Sequence, residues 1–280
     1  MELIVDAGEQ NYNVFIINLK KDFLKKKHMI NLCNKNGISP SFINAVDGIS
    51  LKGDQLYNET VKKRSITEIG RELTLGELGC ALSHIKIFKL MIDKNISSAF
   101  IFEDDVNFDH RLSDYLKDIE KLPLNWDIVL LGHHRSDSRS EPTSYNIWFK
   151  KRMDSINTNL RKPAEIAYGT YGYHISLRGA KKLLSSLSTL YKPIDHYTGN
   201  SSYINLYILE NPIIDINKDF ELLSNLSFTR NQYEQYFFNI QIRTKTRIFL
   251  DRLYIYSLIE YLYSKMVRSF GRWKIMKRYK

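Results

Sequence analysis

Residues 98–105 read Ser98-Ala99-Phe100-Ile101-Phe102-Glu103-Asp104-Asp105, an apolar run that passes without a break into three consecutive carboxylates. A short, uninterrupted apolar run is the pattern of a strand buried on both faces. Carboxylates at its C-terminal end lie where open α/β sheets bind their ligands. Packing three acids there is costly through mutual repulsion unless a cation neutralises them, and an all-oxygen set suits Mg²⁺ or Mn²⁺. Capping of the next helix is the plainer alternative. Immediately upstream, a helix is expected over 74–95. Thr74 and Glu77 have the spacing of a capping box, and Leu78, Leu82, Ile85 and Ile92 form an apolar stripe. Further upstream, Val14 to Leu19 (VFIINL) reads as a second buried strand. Asp22 caps the helix after it, which carries Met29, Ile30 and Cys33 and stops near Gly37. Another strand over 41–46 then leads to Asp47-Gly48. Strand, helix and strand in this order make a βαβ unit, which requires a parallel pair. The fold class predicted is α/β with a mostly parallel central sheet.

Downstream, a helix is expected over 111–122, a strand over 126–131 (WDIVLL) closed by Gly132, and a strand over 166–176 followed by a helix over 177–187. Residues 203–209 and 212–216 look like further strands. The segment 132–163 is polar and lacks periodicity, so much of it reads as a long loop of the kind that is functional or mobile. Residues 51–73 are mixed and polar, and Lys62-Lys63-Arg64 reads as a solvated face.

The chain has 280 residues, 43% hydrophobic, 26% charged and 12% aromatic, which excludes wholesale disorder, collagen-like repetition and a disulfide scaffold. The net charge of +10 invites a polyanionic partner. Its distribution is uneven: residues 241–280 carry eleven basic side chains against only Asp251 and Glu260. The division expected is a body over 1–240, close to neutral, and a basic, aromatic helical extension over 241–280. Cys33 and Cys80 fall in helical patterns and read as buried free thiols, supplying neither a metal knuckle nor a disulfide and favouring a reducing compartment. Residues 1–13 lack a basic n-region and an apolar h-region, so no secretory signal is expected. The apolar stretch 248–263 is broken by Asp251, Arg252 and Glu260 and falls short of the about 20 residues that a spanning helix needs.

No Walker loop, strand-linked GxGxxG, HExxH or GxSxG occurs, so common nucleotidase, dinucleotide-binding and hydrolase readings lose their support. Beyond the acids, His84 lies beside the apolar stripe of its helix and fits a satisfied core group or a catalyst. His133-His134 follows a strand end. Asp195-His196 after Pro193 is a loop acid beside a general base or metal ligand.

Read together, Arg71-Glu72-Leu73-Thr74-Leu75-Gly76-Glu77-Leu78-Gly79-Cys80-Ala81-Leu82-Ser83-His84 and Phe102-Glu103-Asp104-Asp105-Val106 resemble the signature of glycosyltransferase family 25. This family comprises bacterial lipooligosaccharide galactosyltransferases and collagen-modifying relatives. The resemblance extends to 15–19, 45–48, 126–132, 169–180 and 193–195. His174 departs from it, standing where the family has an apolar residue or Tyr. The resemblance implies a GT-A-like fold, a UDP-sugar donor (most often UDP-galactose) and inversion at the anomeric carbon. By the same likeness Asp105 is the first metal contact for Mn²⁺ or Mg²⁺, with Glu103 and Asp104 sharing ribose or metal duties. Asn18, Asp47 and Gly48 hold the uridine, while Arg71, Ser83 and His84 approach the diphosphate or sugar. One-step inversion needs a base for the acceptor hydroxyl. Asp195 is the choice for that role, with metal ligation by Asp195 or His196 as the rival.

The 241–280 segment has two readings, an amphipathic device on an anionic membrane surface or a helix packed on the catalytic body. A basic aromatic stripe also fits nucleic acid, but no RNP-like or helix-turn-helix pattern accompanies it and none is expected as a partner. The sequence therefore predicts a metal-dependent inverting hexosyltransferase acting on a lipid-linked oligosaccharide at the cytoplasmic face of a bacterial inner membrane. A UDP-glucose or UDP-N-acetylhexosamine enzyme, and a non-catalytic glycan-binding or assembly protein, are the alternatives.

Overall fold

A computed structural model of the chain describes residues 12–51, 58–135 and 141–221. The expected 241–280 helix, the boundary at 240 and the apolar stretch 248–263 lie outside the described residues.

The opening βαβ unit forms as expected. Strand β1 (Asn13–Asn18) is followed by α1 (Phe23–Lys35) and β2 (Ser41–Asn44), and β1 pairs β2 in parallel with Phe15 opposite Ser41. Helix α2 (Glu59–Ile69) precedes α3 (Leu75–Asp93), which leads into β3 (Ser98–Glu103). β3 pairs β1 on its other side, also in parallel, with Phe100 opposite Val14. Beyond β3 come β4 (Val106–Phe108), α4 (Arg111–Leu116), β5 (Ile128–Leu130), β6 (Tyr145–Met153), β7 (Thr158–Pro163) and β8 (Gly172–Ser176). Helices α5 (Leu177–Ser186) and α6 (Asp195–Thr198), strands β9 (Leu206–Leu209) and β10 (Ile214–Ile216), and a last short helix, α7 (Lys218–Glu221), complete the order.

Eight strands make one sheet in the order β2-β1-β3-β8-β5-β9-β7-β6, and β4 with β10 makes a separate antiparallel ribbon. The sheet is mixed. Strands β7 and β8 run against the other six, so most strands share one direction while β8 and β7 pair antiparallel with all their neighbours. An apolar strand reads alike in both directions, and the sequence of β8 could not disclose its polarity.

Alternation along β1 and β3 divides the core between the two faces of the sheet. Val14, Ile16, Phe100 and Phe102 pack with Met29 and Cys33 of α1 and with Leu112 and Tyr115 of α4. Phe15, Ile17, Ala99 and Ile101 pack with Ala81, Ile87, Phe88 and Met91 of α3 and with Ala180 and Leu183 of α5. The architecture is thus a sheet between two helical layers.

Three local expectations are corrected. The supposed loop 132–163 contains the β6–β7 hairpin, with Met153 opposite Thr158 and the ladder interrupted between Asn146 and Lys150. β6 is an edge strand in which Ile147 and Trp148 are exposed and Lys150, Lys151 and Arg152 follow them, so it lacks the continuous buried apolar run by which an inner strand is read. The polar 51–73 stretch contains α2, capped by the Asn58 side chain accepting from Thr60 N and Val61 N and closed by left-handed Gly70 (φ 76°). Within it, Lys63 and Arg64 are exposed, as expected of a solvated face, and Arg64 also lies over the Tyr191 ring at 3.8 Å. The 111–122 helix is shortened to α4 and a 3₁₀ turn at Ile119–Lys121.

The α3 helix begins as its sequence predicts. Glu77 N donates to Thr74 Oγ1 (3.1 Å) and Thr74 N donates to the Glu77 carboxylate (2.9 Å). The chain after β2 lies directly on this helix. A Cβ built on Gly79 would meet Val46 O at 2.6 Å, and one on Gly48 would meet Leu75 O at 1.9 Å. The two glycines allow the Asp47-Gly48 turn to contact the start of α3 backbone to backbone.

Candidate active site

The carboxyl ends of β1, β2 and β3 lie on one rim of the sheet, because these strands pair in parallel. That rim collects Asn18, the Asp47-Gly48 turn and Glu103-Asp104-Asp105. Asn18 Nδ2 donates to Asp104 Oδ2 at 2.7 Å. Lys25, from α1, places Nζ 3.2 Å from Asp104 Oδ1 and 3.0 Å from Asp105 Oδ2. One ammonium therefore serves two carboxylates, one buried and one half-buried. Asp104 is 8% exposed, and burial pushes its acid up to about 6 despite the opposing pull of Lys25 and Asn18. Burial also raises Asp105, reinforced by the neighbouring Glu103 charge and offset in part by Lys25. Burial acts to lower Lys25, but Asp105 and Asp104 outweigh it and raise the lysine. Asp47 is paired with Lys21 at 2.8 Å on the exposed outer edge.

Glu103 turns the other way, toward α3. Its Oε1 accepts from Cys80 Sγ at 3.7 Å and Thr170 Oγ1 at 3.4 Å and lies 3.7 Å from His84 Nε2. His84 is fully buried, with Nδ1 2.7 Å from the Tyr173 hydroxyl. Ser83, also fully buried, accepts from Val46 N (2.8 Å) and donates to Gly79 O (2.7 Å), so its hydroxyl braces the Asp47-Gly48 turn from below.

A second station surrounds α6. Asp195 opens this helix, and its Oδ1 is buried without a hydrogen-bond partner. Burial lowers His196, with Asp195 and Glu77 opposing and Lys192 and Arg71 assisting. Arg71 is held by two bonds to the Glu77 carboxylate, at 2.8 and 2.6 Å. Tyr168 sits edge-on to His196 at 5.2 Å, and its phenol is pushed up to about 12 by burial and the Asp195 charge. Arg71, Glu77, Tyr168, Asp195 and His196 thus share one electrostatic neighbourhood.

The structure brings Asn18, Asp104 and Asp105 into one cluster and Arg71, Asp195 and His196 into another. Asp105, Glu103 and His196 do not converge as a close ligand trio; among the described residues that arrangement is found for Cys80, His84 and Glu103. Lys25, Cys80, Tyr168, Thr170 and Tyr173 were not singled out from sequence as site residues. Lys25 had a usable signal, since a first-turn lysine of the helix after β1 faces the ends of neighbouring strands. Two histidines prove structural. His133 is buried, with Nε2 donating to Leu209 O (2.7 Å) and Nδ1 accepting from Thr143 N (3.1 Å). His174 stacks on Phe100 at 4.2 Å, and burial lowers its pKa to about 3, so it stays neutral in the core.

Residues 11–198 match the family described as Glycosyltransferase family 25 (LPS biosynthesis protein). Procollagen galactosyltransferase 2 of Mus musculus is 33% identical over 180 residues, covering 62% of this chain and 27% of that protein. The probable inactive glycosyltransferase 25 family member 3 of Rattus norvegicus is 30% identical over 180 residues, covering 62% of this chain and 30% of that protein. The chain thus spans less than a third of either relative's length. Among solved structures, A197 from STIV aligns at TM-score 0.38 and 12% identity, over 72% of this chain and 83% of that one. The acidic rim and the capped helix above it are parts of one matched segment, and on that match the chain belongs to glycosyltransferase family 25.

Proposed function

We propose that this chain is an inverting, metal-dependent galactosyltransferase that takes UDP-galactose as donor and a lipid-linked oligosaccharide as acceptor, on a GT-A-like body. The observation that carries the reading is the Asp104–Asp105 pair at the end of β3, whose two carboxylates share one cation, the Lys25 ammonium. The residues present fit Mn²⁺ or Mg²⁺. Their donors are hard oxygens, and a single lysine leaves the Asp104 and Asp105 carboxylates beside Glu103 short of positive charge. When bound, the ion supplies charge stabilisation to the departing diphosphate.

The chain's own residues divide the remaining work. Asn18 fixes the Asp104 carboxylate by its 2.7 Å bond. Asp47 and Gly48, seated on α3, offer the adjacent rim to the uridine. Arg71, paired with Glu77, presents positive charge between the rim and α6. Asp195 holds an unpartnered buried oxygen suited to accept the proton of an acceptor hydroxyl. His196 beside it is a further ligand or hydrogen-bonding group for the sugar. Galactose is favoured by the galactosyltransferase names of relatives, and the lipid-linked acceptor by the family's description. The basic 241–280 segment would place the work at an anionic cytoplasmic membrane surface.

The test is a UDP-sugar hydrolysis and transfer screen with Mn²⁺ and with EDTA, on wild type and Asp105→Ala. Turnover of UDP-galactose above UDP-glucose and UDP-N-acetylhexosamines, abolished by EDTA and by the substitution, is expected. No turnover of any donor would favour a non-catalytic member, as the inactive relative's name suggests for that protein. Turnover indifferent to EDTA would overturn the metal role.

A further inference from the structure

We propose that Cys80, His84 and Glu103 form a three-ligand site for a thiophilic divalent cation of the zinc class, with its fourth position open toward the acidic rim. Cys80 and His84 lie four residues apart on α3 and therefore project from one face of the helix. Glu103 reaches them from the end of β3. The sulfur, the imidazole nitrogen and a carboxylate oxygen all lie within 4.8 Å of one another, with Glu103 Oε1 3.7 Å from both Sγ and Nε2. Tetrahedral zinc bonds of ordinary length imply ligand–ligand edges of about 3.4–3.6 Å. The two edges that meet at the Glu103 oxygen thus stand a few tenths of an ångström from that geometry, and the sulfur-to-nitrogen edge lies within 4.8 Å.

A second observation points to a ligand. His84 Nε2 is buried, aimed into this trio and without a hydrogen-bond partner, although an unsatisfied buried nitrogen is costly. The other ring nitrogen is fixed by the Tyr173 hydroxyl at 2.7 Å. Metal-bound histidines are held in this way, with the outer nitrogen donating so that the inner lone pair faces the ion. Sulfur, nitrogen and oxygen together are a donor set for Zn²⁺ and its analogues, unlike the all-oxygen Asp104–Asp105 pair. Glu103 is 29% exposed at its side chain while His84 is closed, so the open position faces the rim rather than the core.

The site does not rest on the donor reading, and cobalt spectroscopy separates the two. Full-length protein freed of metal by chelation is titrated with Co²⁺. One equivalent should bind with a sulfur-to-cobalt charge-transfer band and intense tetrahedral d–d absorption, both displaced by Zn²⁺. Cys80→Ser should abolish the charge-transfer band, and His84→Asn should weaken Co²⁺ binding at least tenfold. Cys33→Ser and Asp105→Asn should leave the band unchanged. Absence of the band in wild type, its persistence in Cys80→Ser, or cobalt binding lost only in Asp105→Asn would overturn the proposal. If a helix variant does not melt cooperatively, Glu103→Gln decides, with unchanged Co²⁺ affinity counting against the site. A cobalt band in a protein inert toward all UDP-sugars would leave this site standing and remove the donor reading alone.

Discussion

Lys25 Nζ lies 3.0 Å from Asp105 Oδ2, so the helix after β1 inserts its own cation where an acidic strand end invites an external one. The lysine and a divalent ion are then rivals for the same oxygens. Lys25→Met should bind Mn²⁺ several-fold more tightly than wild type by isothermal titration. The metal-free variant should lose up to about 3 kcal/mol of stability, since breaking a buried pair leaves charge uncompensated. Restoration of its melting temperature by Mn²⁺ is the accompanying outcome.

Asp104 gives the metal-free protein a pH signature. Burial raises its folded acid to about 6, above its ordinary value of 3.8. A carboxyl raised by folding stabilises the fold while protonated, so stability from this group is present below about pH 4 and declines as pH rises through about 6. The loss is of the order of 2–3 kcal/mol. Asp104→Asn should flatten the fall of melting temperature between pH 4 and 7, and saturating Mn²⁺ should flatten it in wild type.

Asp195→Asn keeps the shape of the α6 station and removes a base. The expected result is a fall in kcat for transfer of roughly a hundredfold or more, with KM for the UDP-sugar little changed. Melting temperature should hold or rise, because the wild-type carboxylate buries an oxygen without a partner.

Gly79→Ala tests the seat of the Asp47-Gly48 turn. The new methyl would press on Val46 O and Gly48 N, built at 2.6 and 2.8 Å, both rigid backbone atoms. Overpacking of this kind costs about 1–3 kcal/mol, read by urea denaturation, and displacement of the turn should also raise KM for the donor.

Much of this was legible in sequence where signals were local. The Thr74–Glu77 box, the VFIINL and SAFIF strands and the acidic strand end each announce themselves within a few residues, and all stand where expected. The β6–β7 hairpin did not, because the apolar residues of this edge strand are interleaved with Asn146, Lys150, Lys151 and Arg152 and form no continuous run, although Phe149 and Met153 reach the core. Cys80 and Glu103 are 23 residues apart, and only the crossover of α3 onto β3 sets a thiol beside a carboxylate. Lys25 and Asp105 are joined across 80 residues in the same way.

Strand β9 lies between β5 and β7, and β10 closes on β4 while Asn217 N donates to Asp105 O at 2.7 Å. The segment matched by the family ends at 198, before either strand. A fragment trimmed to that homology would open a gap in the middle of the sheet and release the very aspartate on which donor chemistry would depend. The smallest autonomous unit worth expressing therefore runs past 217, and the homology boundary is not a place to cut.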